Sequence, residues 1–324
     1  MNALKDYSQW IELEIKKNKF GKQPSSLYKP IRYLMGLGGK RMRPLLTLLS
    51  YALFKDNVKK IVPYAVAVEV FHNFTLMHDD IMDNAPLRRG NATVHEKWNV
   101  NTAILSGDVM QVKVYDMFLS LESAKLKEVL KAFNQCATEV CEGQQWDMEF
   151  ETMNAVHETQ YIDMIRQKTA VLLGFSLELG AILADAPLED QKALRDFGVN
   201  IGIGFQLKDD LLDAYADPKK FGKQVGGDII ANKKTYLLIT ALEKAKGKQK
   251  QELGLLLATK KFNPVKKVSS VKAIYDSLNI PGATEKRVNQ YFDKGFKNLE
   301  SLTCNPESKD TLRKFAEDLI GRQV

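Results

Sequence analysis

Apolar residues recur at helical spacing along nearly the whole chain. Long periodic runs cover 31–34, 45–53, 66–82, 103–121, 126–148, 161–183 and 188–215. Shorter ones follow near 236–242, 265–278, 283–302 and 310–319. Alternating strand patterns bounded by hairpin signals are scarce. Gly and Pro fall mostly between the runs, as at Gly36 to Gly39, Pro86, Pro187, Pro218 and Pro281-Gly282. With no linker and no solenoid repeat, the pattern predicts an all-α protein. We expect one domain over residues 1–324, a single large bundle of long helices around a central cavity. The run Ala170-Val171-Leu172-Leu173-Gly174-Phe175 is apolar on every side. A single chain would struggle to cover such a helix, which predicts a dimer interface.

Two copies of one acidic pattern interrupt this apolar background: Asp79-Asp80-Ile81-Met82-Asp83 and Asp209-Asp210-Leu211-Leu212-Asp213. The first and last Asp of each copy are four apart, hence on one helix face about a turn from each other. Pro86 and Pro218 should stop the two helices soon afterwards. The acids then sit near helix C-termini, where the macrodipole disfavours negative charge. One such copy could be no more than a solvated helix end. Two copies in matching surroundings point to a cation, and facing helices would offer oxygen ligands to a hard divalent ion such as Mg²⁺.

The 324 residues are 44% apolar, enough for a sizeable core. No apolar run is long enough to span a membrane, and the mixed charges from Lys5 to Lys17 do not form a secretory signal. Cys136, Cys141 and Cys304 show no zinc spacing and predict inert thiols in a reducing, cytoplasmic setting. The net charge of +7 suggests an anionic partner. No basic arm or aromatic stacking surface points to nucleic acid, and the Lys-rich stretch 244–261 reads as a solvated helix and loop.

Several cations suit a smaller anion. Gly38-Gly39-Lys40-Arg41-Met42-Arg43-Pro44 leads into a helix whose start could hold phosphate with Lys40 and Arg43. It lacks the Walker pattern and alone is equally a basic turn. Arg88 and Arg89 follow the first acidic copy. Lys168 and Thr169 interrupt an apolar helix, Gln206 lies three residues before Asp209, and Lys223 and Lys233 occupy a later Gly- and Lys-rich loop. His72 is two turns before Asp79; Glu69 and His72 match half of a di-iron step whose second half is missing.

Taken together these motifs resemble the trans-isoprenyl diphosphate synthase (polyprenyl synthetase) family. The resemblance runs from GGKRMRP through HNFTLMHDDIMD, LRRG, AILSGD, GQQWD, QKTA and FQLKDDLLD to GKQVGGD and NKKT. It implies an isoprenoid synthase fold, a homodimer, and elongation of an allylic diphosphate with isopentenyl diphosphate. By position, Asp79, Asp83, Asp209, Asp210 and Asp213 would hold Mg²⁺, three ions per site. Asp79, Asp83, Lys168, Asp209 and Asp210 would form the catalytic set. Arg88, Lys168, Thr169, Gln206, Lys223 and Lys233 would bind the allylic diphosphate. Lys40, Arg43, His72 and Arg89 would bind isopentenyl diphosphate. Phe74, with Thr75 and the deeper Phe71, would floor the pocket and limit chain length. The combination resembles enzymes making geranylgeranyl diphosphate, with farnesyl diphosphate as the alternative. A terpene cyclase would normally lack the second DDxxD. Asn99 stands where the family usually has Gly, and is expected to tolerate a left-handed conformation.

Overall fold

A computed structural model describes residues 2–216 and 226–321, almost all of them helical. The long helices are α1 (Asn2–Lys17), α2 (Ser25–Gly36), α3 (Met42–Tyr51), α4 (Val62–Met82), α5 (Val100–Phe118), α6 (Ser123–Thr152) and α7 (Glu158–Ile165). They continue as α8 (Val171–Leu183), α9 (Leu188–Tyr215), α10 (Tyr236–Lys244), α11 (Gly247–Ala258), α12 (Pro264–Ser277), α13 (Ile280–Glu300) and α14 (Pro306–Gly321). The all-α expectation holds, with one small departure. Leu87–Arg88 (β1) and Asn91–Ala92 (β2) pair antiparallel, too short to leave an alternating pattern in the sequence.

Backbone proximity divides the helices into two compact units. The first holds the chain up to Gln135, Leu172–Arg195 and Leu302–Leu312. There α4 packs against α1, α3 and α5. Residues 65–68, 70 and 71 of α4 are all buried, so this helix is covered on more than one side. Below its middle, Phe133 meets Phe71, Tyr115, Phe118 and Phe175, with ring centroids 5.0 to 5.7 Å apart. The second unit holds Cys136–Val171, Asp196–Ser301 and the chain from Arg313 on. Its core gathers Ala214, Leu237, Leu238, Leu253, Val271, Ile274 and Ile280 from α9 to α13.

Two expectations need correction. Leu172, Leu173, Phe175, Leu177, Leu179 and Ile182 of α8 are buried within the single chain, so this helix leaves no face for a second copy. In the first unit, Ser50 on α3 donates 2.5 Å to the Leu177 carbonyl and Phe175 meets Phe133, which covers the surface assigned to a partner. Asn99 is extended (φ −172°) rather than left-handed; its side chain caps α5 by accepting from Thr102 N–H at 2.8 Å. Of the three free thiols only Cys136 is buried, and Cys141 is exposed.

The segment Arg166–Ala170 between α7 and α8 is a π-helical turn, a distortion that recurs at functional sites. Gly143 on α6 lies against it. A Cβ there would stand 2.7 Å from Lys168 Cα and closer still to the Lys168 nitrogen. We therefore expect Gly143→Ala to cost about 1–3 kcal/mol in a thermal melt, because backbone cannot yield as a side-chain tip does. An unchanged melting temperature would show that the approach is not a packing constraint.

Candidate active site

The first unit presents a cationic cavity. Its volume is about 380 Å³, and Gly39, Lys40, Arg41, Arg43, Glu69, His72 and Arg89 line it. Three of the four predicted cationic or polar partners come from a turn into α3 and from α4; Arg89 comes from the β1–β2 hairpin. Arg89 (φ 52°) and Gly90 (φ 75°) form a two-residue turn of type I′, the geometry that matches strand twist. From there Arg89 reaches across the Gly-rich loop and donates to the Gly38 carbonyl.

Arg41 is the residue of this loop that sequence reasoning left without a role. It sits at left-handed φ 45° and is buried. Its guanidinium donates to Glu12 of α1 at 2.8 Å, Glu69 of α4 at 2.8 Å and the Met35 carbonyl at 2.7 Å. Asn73 holds the Glu69 carboxylate from the other side at 3.2 Å. Arg41 therefore fixes the loop from below while Lys40 and Arg43 line the cavity. Nothing distinguishes its letter from its neighbours' in the sequence.

Arg43 Nη1 lies 3.1 Å from His72 Nε2. A guanidinium only donates, so His72 accepts as the neutral imidazole. Burial, then the charges of Arg43, Arg89, Arg88 and Arg41, push its pKa well below the ordinary value. His72 can thus accept from a cation or donate from its other nitrogen without adding charge.

The first acidic copy ends α4, with Asp83 as C-cap. Arg88 donates from Nε at 2.7 Å and Nη2 at 2.6 Å to Asp80, while Asp79 is 3.5 Å from Nη2. Burial raises the Asp80 pKa against the pull of Arg88. Asp80 is thereby committed to a cation of the chain; Asp79 faces the same guanidinium at longer range, and Asp83 closes the helix one turn later. Phe74, one and a half turns before Asp79, is buried and packs edge-on against His78 (ring centroids 4.8 Å) and at a tilt against Phe71 (5.6 Å). Thr75 spends its hydroxyl on the His72 carbonyl at 2.8 Å.

The second unit gathers the remaining candidates. Lys168, on the π turn, is 2.6 Å from Asp147, and Lys233 is 3.8 Å from the same carboxylate. Burial alone would raise the Asp147 pKa, but Lys233 and Lys168 outweigh it and hold the carboxyl below its ordinary range. Asp147 belongs to the GQQWD motif, the signal from which this clamp could have been read. Gln206 donates to Asp210 at 3.2 Å and lies 3.5 Å from the Thr169 hydroxyl. The buried Tyr161 donates a short bond to the other Asp210 oxygen; a lone Tyr on α7 carried no sequence signal for this. Burial pushes Asp210 up to about 7 despite both bonds. Asp213 accepts the Asp228 N–H at 3.0 Å and lines, with Asp210, Asp228 and Lys233, a cavity of about 10 Å³, roughly one water. Asp209 is half-buried on the same helix. Lys223 lies outside the described residues.

Among the described residues no three His, Cys, Asp or Glu side chains form a ready cage for an ion. The donor set is nevertheless one that Mg²⁺ uses. It takes one or two carboxylates and completes its shell with waters and substrate phosphate oxygens. Asp79 and Asp83, or Asp209 and Asp213, can supply such pairs.

Comparison with known proteins agrees with this chemistry. The polyprenyl synthetase family model matches residues 24–278. A short chain isoprenyl diphosphate synthase of Methanocaldococcus jannaschii is 42% identical over 257 residues, covering 79% of this chain and 78% of that protein. A geranylgeranyl pyrophosphate synthase of Geoglobus acetivorans is 36% identical over 98% of both chains. A crystal structure of a geranylgeranyl pyrophosphate synthase superposes with TM-score 0.94 at 44% identity over 100% of both chains. The chain belongs to the polyprenyl synthetase family, short-chain type: it is a prenyl transferase that condenses isopentenyl diphosphate with an allylic diphosphate.

Proposed function

We propose that this enzyme makes geranylgeranyl diphosphate, using the residues described above. The observation that carries the reading is the cationic cavity of the first unit. Lys40, Arg43, Arg89 and neutral His72 line it, and Arg41 beneath is already matched by Glu12 and Glu69. Such a wall suits the diphosphate of isopentenyl diphosphate, bound by charge and by directed N–H donors. The allylic diphosphate is assigned to Arg88, Lys168, Thr169, Gln206, Lys223 and Lys233, with both acidic copies serving it.

Family membership implies dependence on a divalent metal. Asp79, Asp83, Asp209, Asp210 and Asp213 would hold Mg²⁺, in a proposed count of three, and the bound metal would supply positive charge to the leaving diphosphate. Arg88 and Lys168 reinforce that charge as the allylic C–O bond breaks. The double bond of the second substrate attacks the carbocation, and the proton then lost goes to the released diphosphate. Apolar helix walls exclude the water that would quench the cation.

For geranylgeranyl rather than farnesyl diphosphate, the support is a floor made by one large ring. Phe74 stands roughly 7.5 Å below Asp79 along the helix, with Phe71 beneath it. We further propose a homodimer in a single-domain, cytoplasmic enzyme. Leu105, Val112 and Leu119 are exposed at seven-residue spacing along and just past α5, with Ile104 beside them, an apolar stripe fit to meet its own copy.

Three outcomes test these readings. Pyrophosphate release should require both substrates and Mg²⁺, and Asp79→Ala should lower kcat/KM by about 10²–10³-fold. Release from an allylic diphosphate alone would instead favour a cyclase. Phe74→Ala should lengthen the product by at least one five-carbon unit in mass analysis; an unchanged length removes Phe74 from the floor. Leu105→Asp with Val112→Asp should halve the mass measured by light scattering, and a wild-type monomer would end the dimer proposal.

A further inference from the structure

The charge of this chain is not spread over it. Residues 244–272 hold nine Lys and one acidic residue, Glu252, a net of +8. The whole chain carries +7, so everything outside the segment sums to −1. The segment comprises the end of α10, then α11, a connecting loop and most of α12, all in the second unit.

Within it, residues 258–266 are exposed without interruption. The run carries Lys260, Lys261 and Lys266, and Val265 within it is 78% exposed, with Leu255, one turn back on α11, at 70%. Scattered single apolar residues are ordinary on a surface, but two aliphatic side chains this exposed, in and beside a lysine-rich tip, are not.

The tip is held in this form by its base. Asn263 caps α12 by accepting from the Lys266 N–H at 3.1 Å, and Pro264 opens the helix. Lys267 is buried and donates to Asn232 at 2.6 Å and the Ile230 carbonyl at 3.2 Å. Its ammonium also lies 4.1 Å from the centre of the Phe262 ring. Asn232 in turn donates to the Leu257 carbonyl at 3.1 Å. The apolar side chains are therefore presented outward by anchored backbone.

We propose that this tip docks the enzyme on an anionic lipid surface. Lysines around protruding aliphatic side chains match both layers of such a surface: phosphate headgroups outside, acyl chains just beneath. Nucleic acid is a poorer match. The segment has no Arg for bidentate phosphate or base contacts, and its one aromatic ring within the tip is covered by Lys267 rather than open for stacking. Docking of this kind is peripheral, since no helix among the described residues is long and apolar enough to cross a membrane. It is independent of the product assigned above.

The test is sedimentation of the full chain with vesicles of phosphatidylcholine alone or mixed equally with phosphatidylglycerol, at about 0.1 M salt. The wild type should sediment with the anionic vesicles only. Lys260→Gln, Lys261→Gln and Lys266→Gln together should weaken partition about a hundredfold, each lysine near such a surface being worth about fivefold. Leu255→Ser with Val265→Ser should weaken it about tenfold or more. All five positions are exposed and outside the proposed catalytic groups, so melting temperature and turnover in vesicle-free solution should not move. Failure to sediment with anionic vesicles, binding unchanged in both variants, or displacement from vesicles by equimolar RNA would each overturn the proposal.

Discussion

A carboxylate taken out of water must be answered by a donor or an opposite charge, and most of the geometry described above follows from how this chain does so. Each buried acid is answered by a group from another element. Arg41 joins the loop before α3 to Glu69 on α4 and Glu12 on α1. Arg88 joins the hairpin to Asp80 at the end of α4. Asp147 on α6 joins the π turn to Lys233, and Asp210 on α9 is joined to α7 by Tyr161. These pairs set the positions of the candidate substrate groups before any ligand arrives. Preorganisation of this sort lets charge be stabilised in a reaction without rearranging the site at that moment.

The same pairs explain what could be read in the sequence and what could not. Helical spacing marks α4 and α9 because both bury apolar residues on successive turns, and the paired DDxxD copies stand out against that background. Charge type and spacing also mark Lys40, Arg43 and Lys168 as candidates. A contact between distant segments leaves no such trace. Arg41 looks like one more cation in a basic loop, and only its burial shows that it supports the loop. Tyr161 gives no pattern because its partner lies on another helix, 49 residues away. The π turn lies against Gly143, and periodicity does not resolve one extra residue in a turn. α1 is hard to read for a related reason. Its buried Tyr7, Ile11 and Ile15 are spaced by four, but charged residues crowd the positions between them.

The departures concern coverage and capping. The apolar α8 suggested an external partner, yet the chain's own aromatic layer and α3 cover it; the exposed stripe lies on α5 instead. Asn99 stands where Gly is usual, yet its side-chain oxygen gives it a task that Gly lacks. In both cases composition is legible in the sequence and the neighbour is not, since the neighbour is fixed only by folding.

The hairpin turn carries one more implication. Arg88 and Arg89 are consecutive, yet Arg88 bonds to the acid at the end of α4 and Arg89 to the Gly38 carbonyl across the loop. One peptide unit, about 3.8 Å between Cα atoms, thus separates the anchors assigned to the two diphosphates. Under that assignment the backbone positions of the two anchors are fixed by covalent geometry and stay the same in every cycle of addition. Only the growing tail can register how many cycles have passed, so chemistry is assigned to the C-terminal end of α4 and measurement to Phe74 and Phe71, within about two turns of Asp79 on the same helix.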